Sequence, residues 1–266
     1  MDRPAANRTQ LASALTRVPD VPRWVDTRGM LLSGRAHVRP AAADPARDSF
    51  LVVAPDVSLV GIVGEPGAEE IRAVVASLTG DINLLAQSED AAAVVRALPA
   101  WRRQTAILHV LPAEAPWEHA EDPGARIFTR ETAPSLDHVP APLRLELRDA
   151  LHGRTTARFV PGELPHAAAT AGATLPMAAV WSGRLPVAFC YPVWQTERYW
   201  DVSIDTIESY RNRGFGARAA RALIRHLRRS GRAPVWGALE TNMASRALAA
   251  RLGFIETVGL SVFTSA

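Results

Sequence analysis

The chain has 266 residues, of which 48% are hydrophobic, so it can form one large domain or two modest ones around a packed core. It has no run of eighteen apolar residues and no apolar signal region after Met1, and we expect neither a membrane span nor export. A single cysteine argues against a disulfide framework and fits a reducing cytoplasm. Arginine supplies all the basic charge, and this bias, with abundant alanine, is typical of a GC-rich bacterial gene. The net charge of +3 only weakly suggests an acidic partner, so nucleic acid is not expected.

The first half of the chain alternates strands with helices. Residues 1–28 are polar, contain Pro19 and Pro22, and are typical of a leader helix or arm. Strands are then predicted at 49–54, 57–64, 82–86 and 105–111, with helices at 69–78 and 89–98. This alternation predicts an α/β domain over residues 29–125. The spacing of Gly61, Gly64 and Gly67 does not match the dinucleotide-binding fingerprint, and Pro66 interrupts it.

The second half begins after a predicted linker, because residues 112–126 are rich in proline and acidic residues. A helix over 143–151 then opens a second unit, residues 126–266. Residues 177–190 predict a hairpin that turns at Ser182-Gly183. The continuation to Trp200 is unusually aromatic. These aromatic side chains fit either a pocket for an apolar acceptor or an ordinary sheet core, with the core favoured.

The most informative segment follows the predicted strand 201–206. It reads Arg211-Asn212-Arg213-Gly214-Phe215-Gly216, and a helix over 217–227 begins directly after it. Glycine lets the backbone approach a ligand closely. The first N–H groups of a helix have no partner within the helix and carry partial positive charge. This turn therefore predicts a site for phosphate, and specifically for a pyrophosphate.

A second strand and helix follow about twenty-five residues later. The strand is predicted at 234–242 and the helix at 243–252, where Gly253 ends it as a C-terminal cap. Asn242 stands at the start of this helix, a position that asparagine favours as an N-cap.

Together these two segments resemble the acetyl-CoA-binding core of the GNAT N-acetyltransferase superfamily. Arg211, Gly214 and Gly216 match its first signature, and Asn242 with Leu252-Gly253-Phe254 matches its second. The resemblance covers residues 175–266 and extends loosely back to about 125. It implies an α/β fold of the α+β type, with a mixed central sheet flanked by helices. The N-terminal unit would then be a second, smaller α/β domain, conceivably a degenerate GNAT-like domain that has lost CoA binding.

The resemblance also implies residue roles. The strand before the turn splays from its neighbour, and its free backbone groups at Ile204, Asp205 and Thr206 pair with the pantetheine arm. Amides of the turn hold the pyrophosphate, and Asn242 contacts CoA, serves as a helix cap, or does both. The residues given these cofactor-binding roles are Ile204, Asp205, Thr206, Arg211, Asn212, Arg213, Gly214, Phe215, Gly216, Ala217 and Asn242.

The proton-transfer groups are less determined. Many family members carry a tyrosine acid where this chain has Ala249. Glu240, at the end of the second strand, is the first candidate base, and Asp201 the second. Ser203, Asp205 and Glu208 lie near the same strand. Tyr191 and Tyr199 are candidate acids, whereas Cys190 fits a buried small hydrophobe better than a nucleophile.

Two functional classes remain open. The chain is either an acetyltransferase that moves an acetyl group from acetyl-CoA to a primary amine, or a CoA-binding sensor without transfer activity. A small molecule or amino acid is favoured over a protein as the acceptor. A homodimer is conceivable. The seven histidines show no ligand spacing, so no metal is expected.

Overall fold

A computed structural model describes residues 3–40, 49–114, 122–151 and 176–265. Its helices are α1 (Arg3–Arg17), α2 (Val25–Leu32), α3 (Ala68–Ala76), α4 (Ala91–Ala97), α5 (Ala141–Leu151), α6 (Phe215–Arg228) and α7 (Met243–Arg251). Its strands are β1 (His37–Pro40), β2 (Phe50–Ala54), β3 (Leu59–Val63), β4 (Asn83–Gln87), β5 (Arg102–Val110), β6 (Ala125–Phe128), β7 (Met177–Ser182), β8 (Leu185–Gln195), β9 (Tyr199–Thr206), β10 (Ala233–Leu239) and β11 (Ile255–Thr264).

The described strands form a single mixed sheet in the order β1-β2-β3-β4-β11-β5-β10-β9-β8-β7-β6. Each half of the chain contributes one parallel pair joined by a helix: β3 and β4 through α3, and β9 and β10 through α6. The other neighbouring strands are antiparallel. The predicted mixed α/β fold is confirmed.

The two halves repeat the same element order and exchange their last strands. The first half runs β3-α3-β4-α4-β5, and the second runs β9-α6-β10-α7-β11. β11 lies between β4 and β5, whereas β5 pairs with β10 and β11. Each half therefore completes the sheet of the other. The sequence analysis did not identify β11, whose register also shifts between Glu256 and Gly259.

Helix α2 lies inside a strongly curved sheet. Its Met30 packs in one cluster with Val52 of β2 and Trp194 of β8, two strands that are seven places apart in the sheet. Seven strand spacings of a flat sheet would span about 33 Å, whereas a helix with its side chains is only about 10 Å wide. The sheet must therefore curve around α2.

Two glycines let the sheet approach α2 closely. A Cβ at Gly61 of β3 would lie 2.9 Å from the Thr27 side chain, and a Cβ at Gly29 would lie 2.6 Å from Trp194 Cβ. Neither contact is possible for a real side chain without movement. Ion pairing reinforces the packing, since Arg28 forms a bidentate contact with Glu197. The segment predicted as an arm thus contains a helix at the centre of the molecule.

Helices cover the two faces of the sheet. On the outer face, α3 and α4 pack on the first half and α6 and α7 on the second, with Ile71, Val94, Leu223 and Ala249 fully buried. On the inner face, α2 lies near the centre and α5 packs on β7 and β8. No helix in the described ranges is long and apolar enough to cross a membrane.

The boundaries proposed for the arm and the two domains stay predictions. Because β5 and β11 cross between the halves, the sheet itself is continuous at this boundary. The middle of the predicted linker, residues 115–121, lies outside the described residues.

Candidate functional site

The central feature of the site is the separation of two parallel strands. β9 and β10 pair at three positions, Ala233 with Tyr199, Pro234 with Trp200 and Val235 with Asp201. Beyond Asp201 and Val235 the two strands no longer pair with each other, although β9 continues to Thr206 and β10 to Leu239. The strands diverge from this point, and Gly237 of β10 is exposed in the gap. The gap exposes main-chain groups that can pair with an extended ligand.

At the wide end of this gap lies the turn that precedes α6. Asn212 and Gly214 both adopt left-handed backbone conformations, with φ of 59° and 79°. The Arg218 amide makes the first helical hydrogen bond, to the Gly214 carbonyl at 3.2 Å. The amides of Phe215, Gly216 and Ala217 precede that bond and lie at the positive end of the helix dipole. This geometry is suited to binding an anion.

The two glycines of the turn have different roles. A Cβ at Gly214 would meet no atom within 4 Å, so glycine is needed there for its backbone conformation and leaves open space beside the amides. A Cβ at Gly216 would lie 3.2 Å from Thr206 Oγ1 and 3.3 Å from Ile204 Cγ2. Gly216 therefore lets the start of α6 pack directly on β9.

The arginines around the turn differ in their contacts: two are exposed to solvent, and a third is held by an acidic side chain. Arg211 and Arg213 are exposed; Arg211 donates from Nε to the Thr206 carbonyl at 3.2 Å, and Arg213 lies over the Tyr210 ring. Arg218 makes a bidentate contact with Asp122, at 2.5 and 2.8 Å, which lowers the pKa of that carboxyl. Arg211 and Arg213 are thus the nearer cations for a phosphate.

Helix α7 begins at the predicted cap. The Asn242 side chain accepts a hydrogen bond from the Ser245 amide at 3.1 Å, so Asn242 is an N-cap. Ala249, which stands where the family often has a tyrosine, is fully buried in the cluster that contains Trp236 and Phe254. A tyrosine acid is therefore absent from this position, and the core leaves no space for one.

The inner face of β9 carries a row of polar side chains. Asp201, Ser203 and Asp205 alternate along the strand, while Ile204 and Thr206 face α6. Tyr191 of β8 pairs in register with Ser203 and is 2% exposed. Its hydroxyl lies 2.6 Å from Glu146 Oε1 and 2.8 Å from Asp205 Oδ2.

This tyrosine has one proton and two carboxyl neighbours. It can donate to only one of them, so the other contact requires a protonated carboxyl that donates to the phenol oxygen. Burial raises the pKa of both Glu146 and Asp205, which is consistent with such a shared proton. Burial and the Asp205 charge also raise the pKa of Tyr191 well above its usual value. Tyr191 is therefore a weak acid held between two carboxyl groups.

A second carboxyl pair lies where β9 and β10 separate. The Asp201 carboxyl of β9 interacts with the charge of Asp26, which α2 brings from the N-terminal segment. Burial raises the pKa of Asp201 well above the usual range, and the Asp26 charge adds to this effect. Burial also raises the pKa of Asp26 to about 6. Both residues retain partial solvent exposure.

Glu240 lies beyond the end of β10, away from the point at which the two strands begin to separate. It is exposed, five residues beyond Val235, or about 16 Å along an extended strand. With Thr241 and the segment 102–105 it lines a depression of about 330 Å³. Glu208 is exposed in the one-turn helix Glu208–Tyr210. Tyr199 packs beside Val25, Leu108 and Val235, and Cys190 is fully buried in the core. The structure thus brings Asp201 to the strand separation and leaves Glu240 at a distance from it.

The equivalent turn in the first half is already hydrogen-bonded. The amides of Gly64, Glu65 and Gly67 donate to Asp90 Oδ2, Ser49 Oγ and Glu70 Oε2, at 3.1, 2.9 and 2.8 Å. The strands β3 and β4 also stay paired from Leu59 to Ile62. Three amides of this turn thus already donate to side chains, and the strands beside it do not separate.

The part of the chain that the structure describes holds no group of three or more histidine, cysteine, aspartate or glutamate side chains that could bind a metal ion. Of the site residues discussed above, the sequence analysis missed Asp26 and Glu146. Each looks like an ordinary acidic residue of a surface helix, and only the tertiary packing brings it beside β9.

Comparison with known proteins identifies this architecture. The family model described as GNAT acetyltransferase matches residues 178–263, which contain the separated strands, the turn and α7. This part of the chain matches the GNAT acetyltransferase family model, and the resemblance predicted from the sequence is confirmed. No curated protein matches the sequence.

Solved structures extend the likeness to the whole chain. A GCN5-related N-acetyltransferase-like protein from Streptococcus suis is 14% identical with a TM-score of 0.65, covering 97% of this chain and 98% of that one. A GNAT-family acetyltransferase from Colwellia psychrerythraea is 13% identical with a TM-score of 0.58, covering 100% and 98%. A tandem GNAT protein from the clavulanic acid biosynthesis pathway is 14% identical with a TM-score of 0.56, covering 98% and 95%. At these identities the likeness shows a shared fold.

Proposed function

We propose that this protein transfers an acetyl group from acetyl-CoA to a primary amine by direct attack within a ternary complex. The observation that carries the proposal is the separation of β9 and β10 beside a turn with free amides. Acyl transfer needs the thioester to be positioned, and the gap between the strands can hold an extended arm while the turn holds its diphosphate.

The residues present fit acetyl-CoA. The amides of residues 212–217 would hold the pyrophosphate, with Arg211 and Arg213 as nearby cations. Backbone groups of Ile204, Asp205 and Thr206 would pair with the pantetheine arm. Gly214 leaves the open space that such a ligand needs. Asn242 uses its side-chain oxygen as a cap, which leaves its amide N–H groups for the cofactor.

Asp201 is the best-placed base for the amine. It lies at the last residue pair before the gap, on the inner face, where an acceptor can approach from the side opposite α6. The pKa of Asp201 is raised toward neutral pH. A base whose pKa lies near the working pH is partly ionised and also accepts a proton effectively. The geometry favours Asp201 over Glu240 for this role. Tyr191 would act through Asp205 and Glu146 rather than as the direct acid.

The test combines calorimetric titration with a thiol-release assay. We expect acetyl-CoA to bind and one class of amines to cause release of free CoA. Asp201→Asn should lower kcat about 100-fold or more while preserving the Kd for acetyl-CoA, because a positioned base contributes on this scale. Glu240→Gln is the matched control, since it also neutralises one carboxylate near the end of a strand. If Glu240→Gln loses the activity and Asp201→Asn keeps it, the assignment of the base is reversed.

A second candidate is a CoA-binding protein without transfer activity. The buried Ala249 favours it, because the usual acid is absent. Binding of acetyl-CoA with no thiol release from any amine would support this alternative. Loss of binding altogether would contradict both candidates.

Further proposals concern the rest of the molecule. We infer that the N-terminal half is a degenerate GNAT-like domain, because its element order repeats that of the second half while its turn is hydrogen-bonded internally. A small molecule or amino acid remains the proposed acceptor, and a cytoplasmic location and a homodimer remain hypotheses.

A further inference from the structure

The N-terminal helix α2 contacts the proposed reaction site directly. Its first residue, Val25, is 1% exposed and packs with Leu108 of β5 and Val235 of β10, beside Tyr199 of β9. Val235 is also the residue that pairs with Asp201 at the end of the joined part of β9 and β10. The start of α2 is therefore fixed against the residue pair at which the gap opens.

This packing places Asp26 near Asp201, close enough for the two charges to interact. Asp26 follows Val25 in the helix, and Asp201 follows Tyr199 by two residues on the same face of β9. Within the described part of the chain, the groups that act on the Asp201 charge are the Asp26 carboxylate and a backbone hydrogen bond from Val202. No arginine is among them, although the chain is rich in arginine. Among the described residues, the charged side chain that acts on Asp201 is therefore a carboxylate and not an arginine.

The position of α2 leaves Asp26 little freedom to move away. One side of the helix lies against Gly61 of β3 and the other against Trp194 of β8. Arg28, one turn further along, is held by Glu197 and by the carbonyls of Leu15 and Val18. A helix fixed on both sides can hold a charged group at a set place, as a loop could not.

We propose that Asp26 is a positioning residue that works through Asp201 and sets the pH range in which Asp201 accepts the proton of the amine. This inference rests on the proposed function, and it assigns the N-terminal segment a part in the site of the C-terminal domain. Two carboxylates whose charges interact resist simultaneous ionisation, so the pair takes up one proton before either acts alone. The raised pKa values of both groups agree with this coupling.

Among the described residues, few other polar or titratable side chains lie near Asp201. From β8, the Cys190 thiol is close enough for the Asp201 charge to contribute to its raised pKa. On β9 itself, Tyr199 and Ser203 lie on the same face. The residues that β5 and β10 present at the start of α2, Leu108 and Val235, are apolar. Asp26 is thus the charged neighbour whose removal should change the ionisation of Asp201.

The experiment compares the pH dependence of kcat/KM for the full-length wild type, Asp26→Asn and Asp26→Glu. Loss of the Asp26 charge lowers the pKa of Asp201, so the acid limb of the profile should move to lower pH by about one unit. Asp26→Glu restores a carboxylate and should return the limb toward the wild-type position. Asp56→Asn is the control, because it removes the same charge from an exposed pair with Arg35 in the same half of the chain. It should leave the profile unchanged.

A second measurement does not depend on activity. Carboxyl ¹³C NMR titration of aspartate-labelled protein should show the Asp201 resonance titrating at lower pH in Asp26→Asn than in the wild type. If Asp26→Asn does not fold, Asp26→Ser gives the same comparison with a smaller side chain. An unchanged Asp201 titration overturns the inference even if the protein is an active transferase. A shifted titration in a protein that releases no thiol from any amine supports the coupling and refutes the proposed function.

Discussion

At the scale of single residues, backbone conformation decides more than side-chain chemistry in the proposed cofactor turn. Asn212 and Gly214 are both left-handed, and together they turn the chain from the end of β9 into α6. The sequence motif predicted this turn because only a few residue types adopt such a conformation at low cost. The open space beside Gly214 is consistent with a ligand that approaches the backbone itself.

Gly214→Val should therefore weaken acetyl-CoA binding at least tenfold, because it fills that space and strains the turn. Gly183→Val is a matched control: Gly183 also has positive φ, at 61°, with no atom within 4 Å of its Cβ position, but it lies in the β7–β8 hairpin turn. Both variants should lose similar stability in thermal unfolding. Equal loss of CoA affinity in the two variants would show that backbone strain, and not the site, causes the effect.

At the scale of elements, α2 links folding to the site. Helix α2 has only eight residues and a weak amphipathic pattern, so its sequence does not indicate that it is a core element. Its burial depends on two glycines that let the sheet approach it closely. Gly61 and Gly29 provide this approach from opposite sides. The helix is thus both a core element and the carrier of Asp26.

Gly29→Ala should lower the free energy of unfolding by roughly 1–3 kcal/mol, because the added methyl overlaps Trp194 and the sheet must shift. Gly237→Ala is the control for unfolding, since its Cβ would lie 3.5 Å from Leu108 Cδ2, an ordinary contact, without positive φ. Urea unfolding followed by tryptophan fluorescence measures both. A stability loss for Gly29→Ala no greater than that of Gly237→Ala would contradict the close packing of α2.

At the scale of the whole molecule, the two halves share an element order but differ in the state of their turns. In the first half, side chains of Ser49, Glu70 and Asp90 occupy the amides, and β3 and β4 do not separate. In the second half β9 and β10 separate beyond Asp201. The exchange of β5 and β11 also joins the halves into one sheet.

We therefore expect one molecule of acetyl-CoA to bind per chain. Isothermal titration calorimetry should give a stoichiometry near one, and Gly214→Val should abolish that single binding event. Binding of two molecules, with one site retained in Gly214→Val, would show that the first half still holds a cofactor.

The outline of the C-terminal site could be predicted from the amino-acid sequence. The turn at Arg211–Gly216, the cap at Asn242 and most strands and helices follow from local rules of backbone conformation, capping and periodicity, which act over a few neighbouring residues. The sequence also showed that Ala249 replaces a common acid. These features depend on neighbouring residues, so they can be recognised in the amino-acid sequence alone.

Which acidic residues come together depends on long-range packing and could not be predicted from the sequence. Asp26 and Asp201 are 175 residues apart in the chain, and Glu146 reaches Asp205 through Tyr191 from a third element. Their proximity depends on the curvature of the sheet around α2 and on the exchange of β5 and β11, which place distant segments side by side. No local pattern encodes such long-range packing, because each of these residues is, in its own segment, an ordinary polar residue of a helix or strand.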